Sequence, residues 1–439
     1  NEQVTYPAIS PDYDFIGVFK ASLTQEVRFK GIQNHNPVYL SPYIVSGRGH
    51  SHSLNETEDS YTRSHQSKNE LGADLKYNIN SNLILDVTAN TDFAQAEADY
   101  QQANLTRYSL FFPEKRKFFQ ERANVFNFNF ESSYPNRLFH SRTIGIRDGK
   151  AVRIYGGARL VGKIGQWDLG VLNMQTAESG DHPGENFGVV RWRKQAANSL
   201  SYIGGMLTSR MSRGGTYNRA LGIDGVFKLF KNDYFTFKIA QTYDHQKENK
   251  VFSLDPVRIR MNWGKRGLKG FGYGASYSRA GKDYTPGMGY EMREDYSYYG
   301  LGLWYGWRPG DEAVLYQHRL NFSGKVYQKN SNGMVESASG NINWIVETKS
   351  EYEGTVTPVF YYENIETPFT ISDQINIPEG DYTFGGLKVY LCSPTSQPFF
   401  ADVTLESGSF YDGWKNSIWM YSRLNLNSSL QLNYEHQYN

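Results

Sequence analysis

Residues 71–91 read LGADLKYNINSNLILDVTANT, and this stretch decides the fold class of the chain. Apolar and polar residues alternate on both sides of a short turn, Asn80-Ser81-Asn82. Alternation with a period of two places every second side chain on the same face of a β-strand, and short Asn-rich turns are typical of hairpins. The stretch therefore predicts two antiparallel strands, each with one apolar and one polar face.

The same pattern recurs along the 439 residues of the chain. Alternating segments separated by short turns predict further hairpins over residues 158–171, 221–241, 299–322 and 424–434. Longer polar connections are predicted at residues 46–68, 177–185, 281–295 and 363–381. Short turns on one side and long loops on the other are typical of outer-membrane barrels. The spacing of the segments predicts about 16 to 20 strands, the range in which a barrel lumen holds water or a plug.

The composition combines many aromatic residues with a low mean hydropathy. The chain has 33 Tyr, 26 Phe and 8 Trp, but no apolar run of the roughly 18 residues that a membrane helix needs. Closed barrels are the other structures that span a membrane, and their aromatic residues mark the two interfaces. We therefore predict an all-β fold, an antiparallel transmembrane β-barrel. Its predicted lipid-facing residues include Leu71, Leu75, Leu83, Leu85, Phe235, Phe237, Leu301 and Leu303, and Asp74, Lys76 and Asp86 are predicted to face inward. A soluble β-sandwich or propeller also alternates, but the propeller repeat of roughly 40 residues is absent.

Charge and cysteine content narrow the classes of partner. The 46 basic and 45 acidic residues nearly cancel, so nothing indicates a nucleic-acid ligand. The single cysteine, Cys392, excludes an intrachain disulfide and a cysteine-based zinc site. Residues 1–3 lack the features of a signal peptide, so we expect a processed chain or a part of a longer one.

Residues 93–122 interrupt the alternation. Residues 93–104 have the Ala and Gln content of a helix, and two Phe pairs then bracket a cluster of mixed charges around Pro113. Such a charge density is excluded from lipid, and proline is excluded from a central strand. We therefore predict a segment that folds inward as a plug or constriction and is held by ion pairs. Its predicted lumen cluster consists of Asp92, Glu97, Asp99, Arg107, Phe111, Phe112, Glu114, Lys115, Arg116, Phe118, Phe119, Glu121 and Arg122.

This segment also carries a family resemblance. Residues 104–119, NLTRYSLFFPEKRKFF, resemble the signature NLTRFELFFPEKRPFF of a Bacteroidetes outer-membrane family of unknown function. Lys117 stands where that family usually has Pro, and Gln120 where it has Leu. The resemblance continues in residues 90–99, 141–146 and 156–163. It implies that residues 1–439 are the C-terminal barrel of a carbohydrate-binding family 9-like domain protein. It also implies that the usual upstream carbohydrate-binding-like domain, and some terminal strands, are absent from this sequence.

Enzymatic signatures in the sequence are weak. His50 and His52 would share one face of a strand as a metal pair, but no third ligand is identifiable and the surrounding residues resemble a surface loop. His140, His182, His245 and His318 can each be combined with some Ser or Asp, so no combination is evidence of a triad. Glu97 with Asp99, and Glu114 with Glu121, are candidate glycosidase pairs, but the basic residues beside them favour structural ion pairs.

We therefore predict no catalytic residue, no metal site and no cofactor. The favoured function is a non-enzymatic barrel in a bacterial outer membrane, a transport or scaffold component of a larger assembly for glycan handling or for protein export and assembly. Its expected partners are membrane lipid, other outer-membrane or periplasmic proteins and a glycan. The alternative is a surface-exposed outer-membrane hydrolase that acts on glycans or lipids.

Overall fold

The structure is a computed structural model. It describes residues 25, 27–28, 30–31, 36–55, 59–91, 108–131, 135–147, 149–230, 232–267, 269–372 and 375–439.

Nearly all regular structure in the described residues is β-strand. The strands, in chain order, are β1 (Val38–Leu54), β2 (Tyr61–Asn80), β3 (Leu83–Ala89), β4 (Ile146–Arg147), β5 (Lys150–Ala151), β6 (Ile154–Ile164), β7 (Trp167–Thr176), β8 (Glu185–Gln195), β9 (Tyr202–Ser212), β10 (Tyr217–Phe230), β11 (Asp233–Asp244), β12 (Val257–Lys265), β13 (Gly270–Ala280), β14 (Tyr296–Trp307), β15 (Leu315–Lys329), β16 (Val335–Thr348), β17 (Glu353–Ile365), β18 (Phe369–Ser372), β19 (Ile375–Ile377), β20 (Gly380–Cys392), β21 (Phe399–Phe410), β22 (Gly413–Asn425) and β23 (Gln431–Tyr438).

Nineteen of these strands form one antiparallel sheet, which lies within the predicted range of about 16 to 20 strands. Each strand pairs with the next strand of the sheet along the chain, so the sheet runs up and down without crossovers. β1 and β23 are the two ends of this order. The pairs β4–β5 and β18–β19 form separate two-stranded hairpins. The all-β antiparallel prediction is therefore confirmed.

Helices are short in the part of the chain that the structure describes. One helix, α1 (Lys117–Gln120), has four residues, and two 3₁₀ turns cover Ala123–Phe126 and Ser141–Thr143. None of the described helices has the length and apolar character of a membrane span.

The predicted hairpins have the expected partners. In the hairpin of β10 and β11, Ile223 pairs with Ile239, and in that of β14 and β15, Leu303 pairs with Phe322. The last hairpin pairs Leu424 with Leu432. The connections at residues 177–185 and 281–295 also follow the prediction, since they join β7 to β8 and β13 to β14.

One predicted loop is wrong. Residues 46–68 belong mostly to β1 and β2, where Ser46 pairs with Asn69 and Leu54 with Tyr61, so the connection covers only residues 55–60. The side chains of residues 46–53 are polar or absent on both faces, and all of these residues are exposed. Backbone pairing and polar cross-strand contacts such as that of Ser46 with Asn69 hold this hairpin together, and no apolar alternation marks it in the sequence. Within the predicted 363–381 loop, β17 continues to Ile365 and the β18–β19 hairpin follows.

The sheet has two faces of opposite character. The inner face is the one that residues 108–131 and 135–144 contact; it combines a buried apolar core with charged side chains, among them Asp86, Arg191 and Asp224, each at most 6% exposed. The outer face carries large apolar side chains that remain exposed, among them Leu221 at 49% and Leu301 at 47%. A water-soluble sheet exposes its charges and covers its large apolar side chains, so this sheet, with charges buried inside and apolar side chains exposed outside, has a reversed polarity.

Leu83 departs from the predicted facing. Leu71, Leu301 and Leu303 are exposed on the outer face as predicted, but Leu83 is only 8% exposed. Leu83 pairs with Gly162 just after the turn, and a Cβ added to that glycine would meet the Leu83 Cα at 2.7 Å. The two backbones therefore approach closely at this point, and no side chain larger than hydrogen fits at residue 162.

Candidate functional site

The candidate site is the inner segment, residues 108–131 and 135–144, together with the inner face of the sheet that it contacts. The segment contains α1 and both 3₁₀ turns, and it leaves α1 through Arg122, whose φ is 52°. The segment extends past its predicted limit at residue 122. The sequence does not indicate this extension, because the alternation Phe126-Asn127-Phe128-Asn129-Phe130 resembles a strand.

An apolar core attaches the segment to the sheet. Phe126, Phe128 and Phe130 are at most 7% exposed and pack with buried residues of β6 to β11. Two glycines make room for these rings. A Cβ on Gly170 would meet Phe126 at 2.8 Å, and one on Gly222 would meet Phe128 at 2.8 Å. Larger residues at these two positions would push the segment away from the sheet.

Arg116 is the centre of the first charged cluster and is 4% exposed. It donates to both carboxylate oxygens of Glu114, at 2.8 Å from Nε and 2.7 Å from Nη2. It also donates to the carbonyls of Ser141 and Ile144, at 2.8 and 2.6 Å, and lies over the Phe119 ring. Burial would raise the pKa of Glu114, but the hydrogen bond and charge of Arg116 and the Ser141 hydroxyl outweigh it and lower the pKa. This cluster joins the two ends of the inner segment.

Arg159 of β6 joins the segment to the sheet. Its Nη2 donates to Asp86 Oδ2 at 2.7 Å, and its Nη1 donates to the carbonyls of Phe118 and Glu121. Lys76 of β2 donates to both oxygens of the Glu121 carboxylate, at 2.5 and 2.6 Å. The hydrogen bond from Lys76 is the main cause that lowers the pKa of Glu121, and partial burial opposes it. The turn after α1 is therefore tied to two strands.

The second inner-face arginine, Arg191, forms a buried pair with Asp224. Two hydrogen bonds of 2.7 Å join the guanidinium to the two carboxylate oxygens, and both side chains are 1% exposed. The Tyr202 hydroxyl donates to Asp224 at 3.1 Å. Such a bidentate pair stabilises the structure and also fixes the orientation of the two side chains.

The third arginine, Arg258, joins three parts of the chain. It donates at 2.7 Å to Glu131 of the inner segment and at 2.9 Å to Glu291 of the 281–295 connection. It also donates to the Ser278 hydroxyl of β13 at 2.5 Å. Burial raises the pKa of Glu291 to about 7, against the attraction of Arg258 and with a further contribution from Glu131. One cation therefore holds two buried acids, one of which retains a proton up to neutral pH.

Arg159, Arg191 and Arg258 also lie over aromatic rings of the inner segment. The distances from the guanidinium carbon to the ring centre are 4.8 Å for Arg159 over Phe118, 5.3 Å for Arg191 over Phe128 and 4.6 Å for Arg258 over Phe130. Cation–π contacts contribute about 0.5–2 kcal/mol, the larger values where water is excluded. The inner segment is thus attached by apolar packing, ion pairs and stacked rings at once.

The structure brings together only part of the predicted lumen cluster. Asp92, Glu97, Asp99 and Arg107 lie outside the described residues. Phe111, Phe112, Glu114, Lys115, Arg116, Phe118, Phe119 and Glu121 lie in the inner segment with partly or fully covered side chains, except that Glu121 is largely exposed. Arg122 is exposed. Glu114 pairs with Arg116, whereas Glu121 pairs with Lys76 of the sheet.

His140 and Ser141 are adjacent but are not arranged as a base and a nucleophile. The His140 Nε2 is 3.1 Å from the Phe112 carbonyl, and the Ser141 hydroxyl donates to Glu114 at 2.7 Å. Burial, with the charge of Arg137, lowers the pKa of His140 to about 4. The ring is therefore neutral at physiological pH and serves packing against Phe111, at 4.8 Å between ring centres.

The predicted histidine pair lies on a strand rather than in a loop. His50 of β1 stands opposite His65 of β2, with 4.4 Å between ring centres, and His52 stands opposite Arg63. Among the described residues, no group of three or more His, Cys, Asp or Glu could hold a metal ion.

Comparison with known families adds one finding. Residues 39–156 match a family model described as a domain of unknown function, DUF5916. The matched range runs from β1 to the start of β6 and includes the whole inner segment. No curated protein matches the chain. The matched range thus covers both the first strands of the sheet and the inner segment.

The sequence interpretation missed Arg159, Arg191 and Arg258. Each of these arginines stands in a strand whose neighbouring positions are apolar, as in Val189-Val190-Arg191-Trp192. Successive side chains of a strand point to opposite faces of the sheet, so a charged residue that alternates with apolar residues lies on the face opposite to them. The same logic predicts the inward position of Asp86, and applied to every strand it would have found the arginines.

Proposed function

We propose that this chain is a transmembrane β-barrel of a bacterial outer membrane, and that the inner segment is its internal plug. The observation that carries the proposal is the reversed polarity of one continuous 19-stranded antiparallel sheet. Exposed side chains on the outer face include Leu207, Ile223, Tyr299 and Trp344, each at least 45% exposed. Lipid solvates such a surface, whereas water would not favour it over so many strands.

The buried charges support an inner face that is turned away from lipid. Arg191, Asp224 and Arg258 are at most 1% exposed. Charges within a membrane protein face the interior of the structure and pair there, because lipid does not stabilise them. The inner segment supplies Glu131, one of the two acids that pair with Arg258, and the rings that lie over Arg191 and Arg258.

The attachment of the plug favours a stable barrier or scaffold over an open pore. Apolar packing, stacked rings and two ion pairs, Lys76 with Glu121 and Arg258 with Glu131, hold one segment to strands β2 to β12. Release of such a segment would expose apolar surface and separate the buried Arg258 from Glu131. We therefore propose a transport or scaffold component of an outer-membrane assembly, whose lumen stays closed until a partner displaces the plug.

The test combines conductance with co-purification. Purified protein in a planar bilayer should show little conductance, and Arg159→Gln, which detaches the turn after α1, should increase it. Affinity purification from native outer membranes should recover other envelope proteins in fixed ratio. A large open conductance of the natural protein would contradict the closed plug, and its recovery from the soluble fraction would contradict the barrel.

The hydrolase alternative remains a separate proposal with a direct test. The acids Glu114 and Glu121 are each bound by a basic side chain, which favours a structural role over catalysis. A screen for glycosidase, lipase and protease activity should therefore show no turnover. Turnover that is abolished by one His or acid substitution would instead support the enzyme.

A further inference from the structure

A cavity of about 480 Å³ lies between the inner segment and the inner face of the sheet. Its polar wall includes Arg137, Arg159, Glu114 and three asparagines, Asn124, Asn127 and Asn129. The Arg159 guanidinium is paired with Asp86. Phe126 and Phe139 lie on the apolar wall. The volume lies within the range of about 300–1,000 Å³ typical of small-molecule sites.

The local backbone directs the polar side chains to the same side. Asn129 and Arg137 face each other in an antiparallel bridge. The flanking hydrogen bonds run from Leu138 to the Phe128 carbonyl and from Phe130 to the Asn136 carbonyl. This is the narrow, non-hydrogen-bonded type of pair, whose side chains lie closest together. The phenylalanines on either side of Asn129 point the other way, into the core.

Arg137 differs from the buried arginines around it, because it forms no ion pair with any described residue. Its Nε donates to the Pro135 carbonyl at 2.8 Å, and the guanidinium lies over the Phe111 ring at 4.5 Å. Arg116, Arg159, Arg191 and Arg258 each have a carboxylate partner. The Glu114 carboxylate also lines the cavity, but Arg116 and Ser141 occupy both of its oxygens.

Arg137 is half-buried and has no acidic partner among the described residues. Burial lowers the pKa of Arg137. Burial and the charge of Arg137 together hold His140, which also lines the cavity, in its neutral form. An isolated cation in a partly dehydrated cavity costs free energy, and an anion beside it offsets that cost.

The asparagines supply hydrogen bonds for the rest of a ligand. The Asn127 side-chain oxygen accepts from the backbone of Asn129 at 3.0 Å, so its amide N–H groups are left for other partners. Amides both donate and accept, which suits hydroxyl groups, and phenyl rings suit the apolar face of a small ring.

From this geometry we infer that the cavity binds a small organic acid, with a carboxylate on Arg137, hydroxyl groups on Asn124, Asn127 and Asn129, and a carbon skeleton against Phe126 and Phe139. A monosaccharide acid has this chemistry. The inference goes beyond the proposed barrel, since it assigns a ligand site to the plug itself.

Isothermal titration calorimetry of the full chain in detergent micelles tests the site, with D-glucuronate as the probe. D-Glucose serves as the uncharged counterpart, and sulfate and phosphate as inorganic anions. We expect saturable binding of glucuronate and at least about tenfold weaker binding of the other three, because each of them lacks one part of the recognition.

Variants separate a binding role from a structural one. Arg137→Gln should weaken glucuronate binding by about tenfold or more, since a charge-assisted hydrogen bond is lost. Asn129→Asp places a carboxylate beside Arg137, so it should abolish binding while the melting temperature is kept or raised. Arg122→Gln is the matched control, an exposed arginine of the same segment outside the cavity, and should bind as the natural protein does.

Three results would overturn the inference. The first is no saturable binding of glucuronate by the natural protein. The second is equal affinity for glucuronate and either glucose or the inorganic anions. The third is unchanged binding by a folded Asn129→Asp variant, which remains informative even if Arg137→Gln fails to fold.

Discussion

Replacement of Arg116 by Ala tests how the inner segment is held together. The substitution leaves the Glu114 carboxylate with the Ser141 hydroxyl as its remaining side-chain donor, and it removes the donors to the Ser141 and Ile144 carbonyls. Breaking a buried ion pair by removing one partner costs about 3–5 kcal/mol, and each buried carbonyl left unpaired adds about 1 kcal/mol or more. We expect the inner segment to lose about 5 kcal/mol of stability.

The loss should depend on pH in a defined direction. In the natural protein the pKa of Glu114 is lowered, so its contribution to stability is present above about pH 4.5 and is lost as the pH falls through the lowered value. Without Arg116, burial raises the pKa of Glu114, and the charged form then destabilises the segment at neutral pH. The difference between the two proteins should therefore be largest near pH 7 and should shrink towards pH 4.

The effect is measured by urea titration in detergent micelles, with protease cleavage within residues 114–144 as the readout of unfolding. The double variant Glu114→Gln with Arg116→Met removes both charges and should recover about 2 kcal/mol or more. Lys117→Ala, an exposed neighbour in α1, is the control and should change stability by less than about 0.5 kcal/mol. A loss below about 1 kcal/mol for Arg116→Ala, or a loss independent of pH, would refute the reasoning.

Three further predictions concern the sheet and its connections. Because the pKa of Glu291 is raised, the free energy of unfolding should fall as the pH rises from about 4.5 to about 7. In urea titrations, Glu291→Gln should remove a decrease of about 2–3 kcal/mol between pH 5 and pH 8. The same pH dependence in the variant and the natural protein would contradict this. Arg191→Gln should lower the free energy of unfolding by about 3–5 kcal/mol, because it leaves the buried Asp224 unpaired. Arg193→Gln is the control; the Asp168 partner of Arg193 is partly exposed, so the loss should be about 1 kcal/mol at most. Comparable losses would contradict a special role for the buried pair. In vesicle folding titrations, Ile342→Arg on the outer face should lower the free energy of unfolding by about 2–4 kcal/mol. Asn343→Arg, at the next residue, should lower it far less. Equal losses would argue against a lipid-facing surface.

The fold was predictable where successive side chains of a strand alternate between an apolar and a polar environment. The hairpins of β10 with β11 and of β14 with β15 have the expected register because one phase of each strand is apolar and the other small or polar. The β1–β2 hairpin was not predictable in this way. Around His50 both faces are polar and exposed, so the sequence has no apolar alternation there, and the strands are defined by the backbone ladder and by polar cross-strand contacts.

The candidate site was predictable in part. The charge cluster around Glu114 and Arg116 is contiguous in sequence, so its exclusion from lipid could be inferred locally. The partners of the inner segment come from distant strands, as Arg258 with Glu131 shows, and such pairs depend on the three-dimensional register. Arg137 is a further case. Its lack of a counter-ion is a property of the folded surroundings, and no local pattern indicates it.

The central claim is that the outer face contacts lipid and the inner face does not. Labelling of the protein in lipid vesicles with a membrane-soluble diazirine, read by mass spectrometry, tests it most directly. The account predicts insertion at Leu221, Ile223 and Leu301 and protection of Ala220 and Asp224, which alternate with the first two residues on β10. Equal labelling of both sets, or failure of the protein to enter the vesicles, would contradict it.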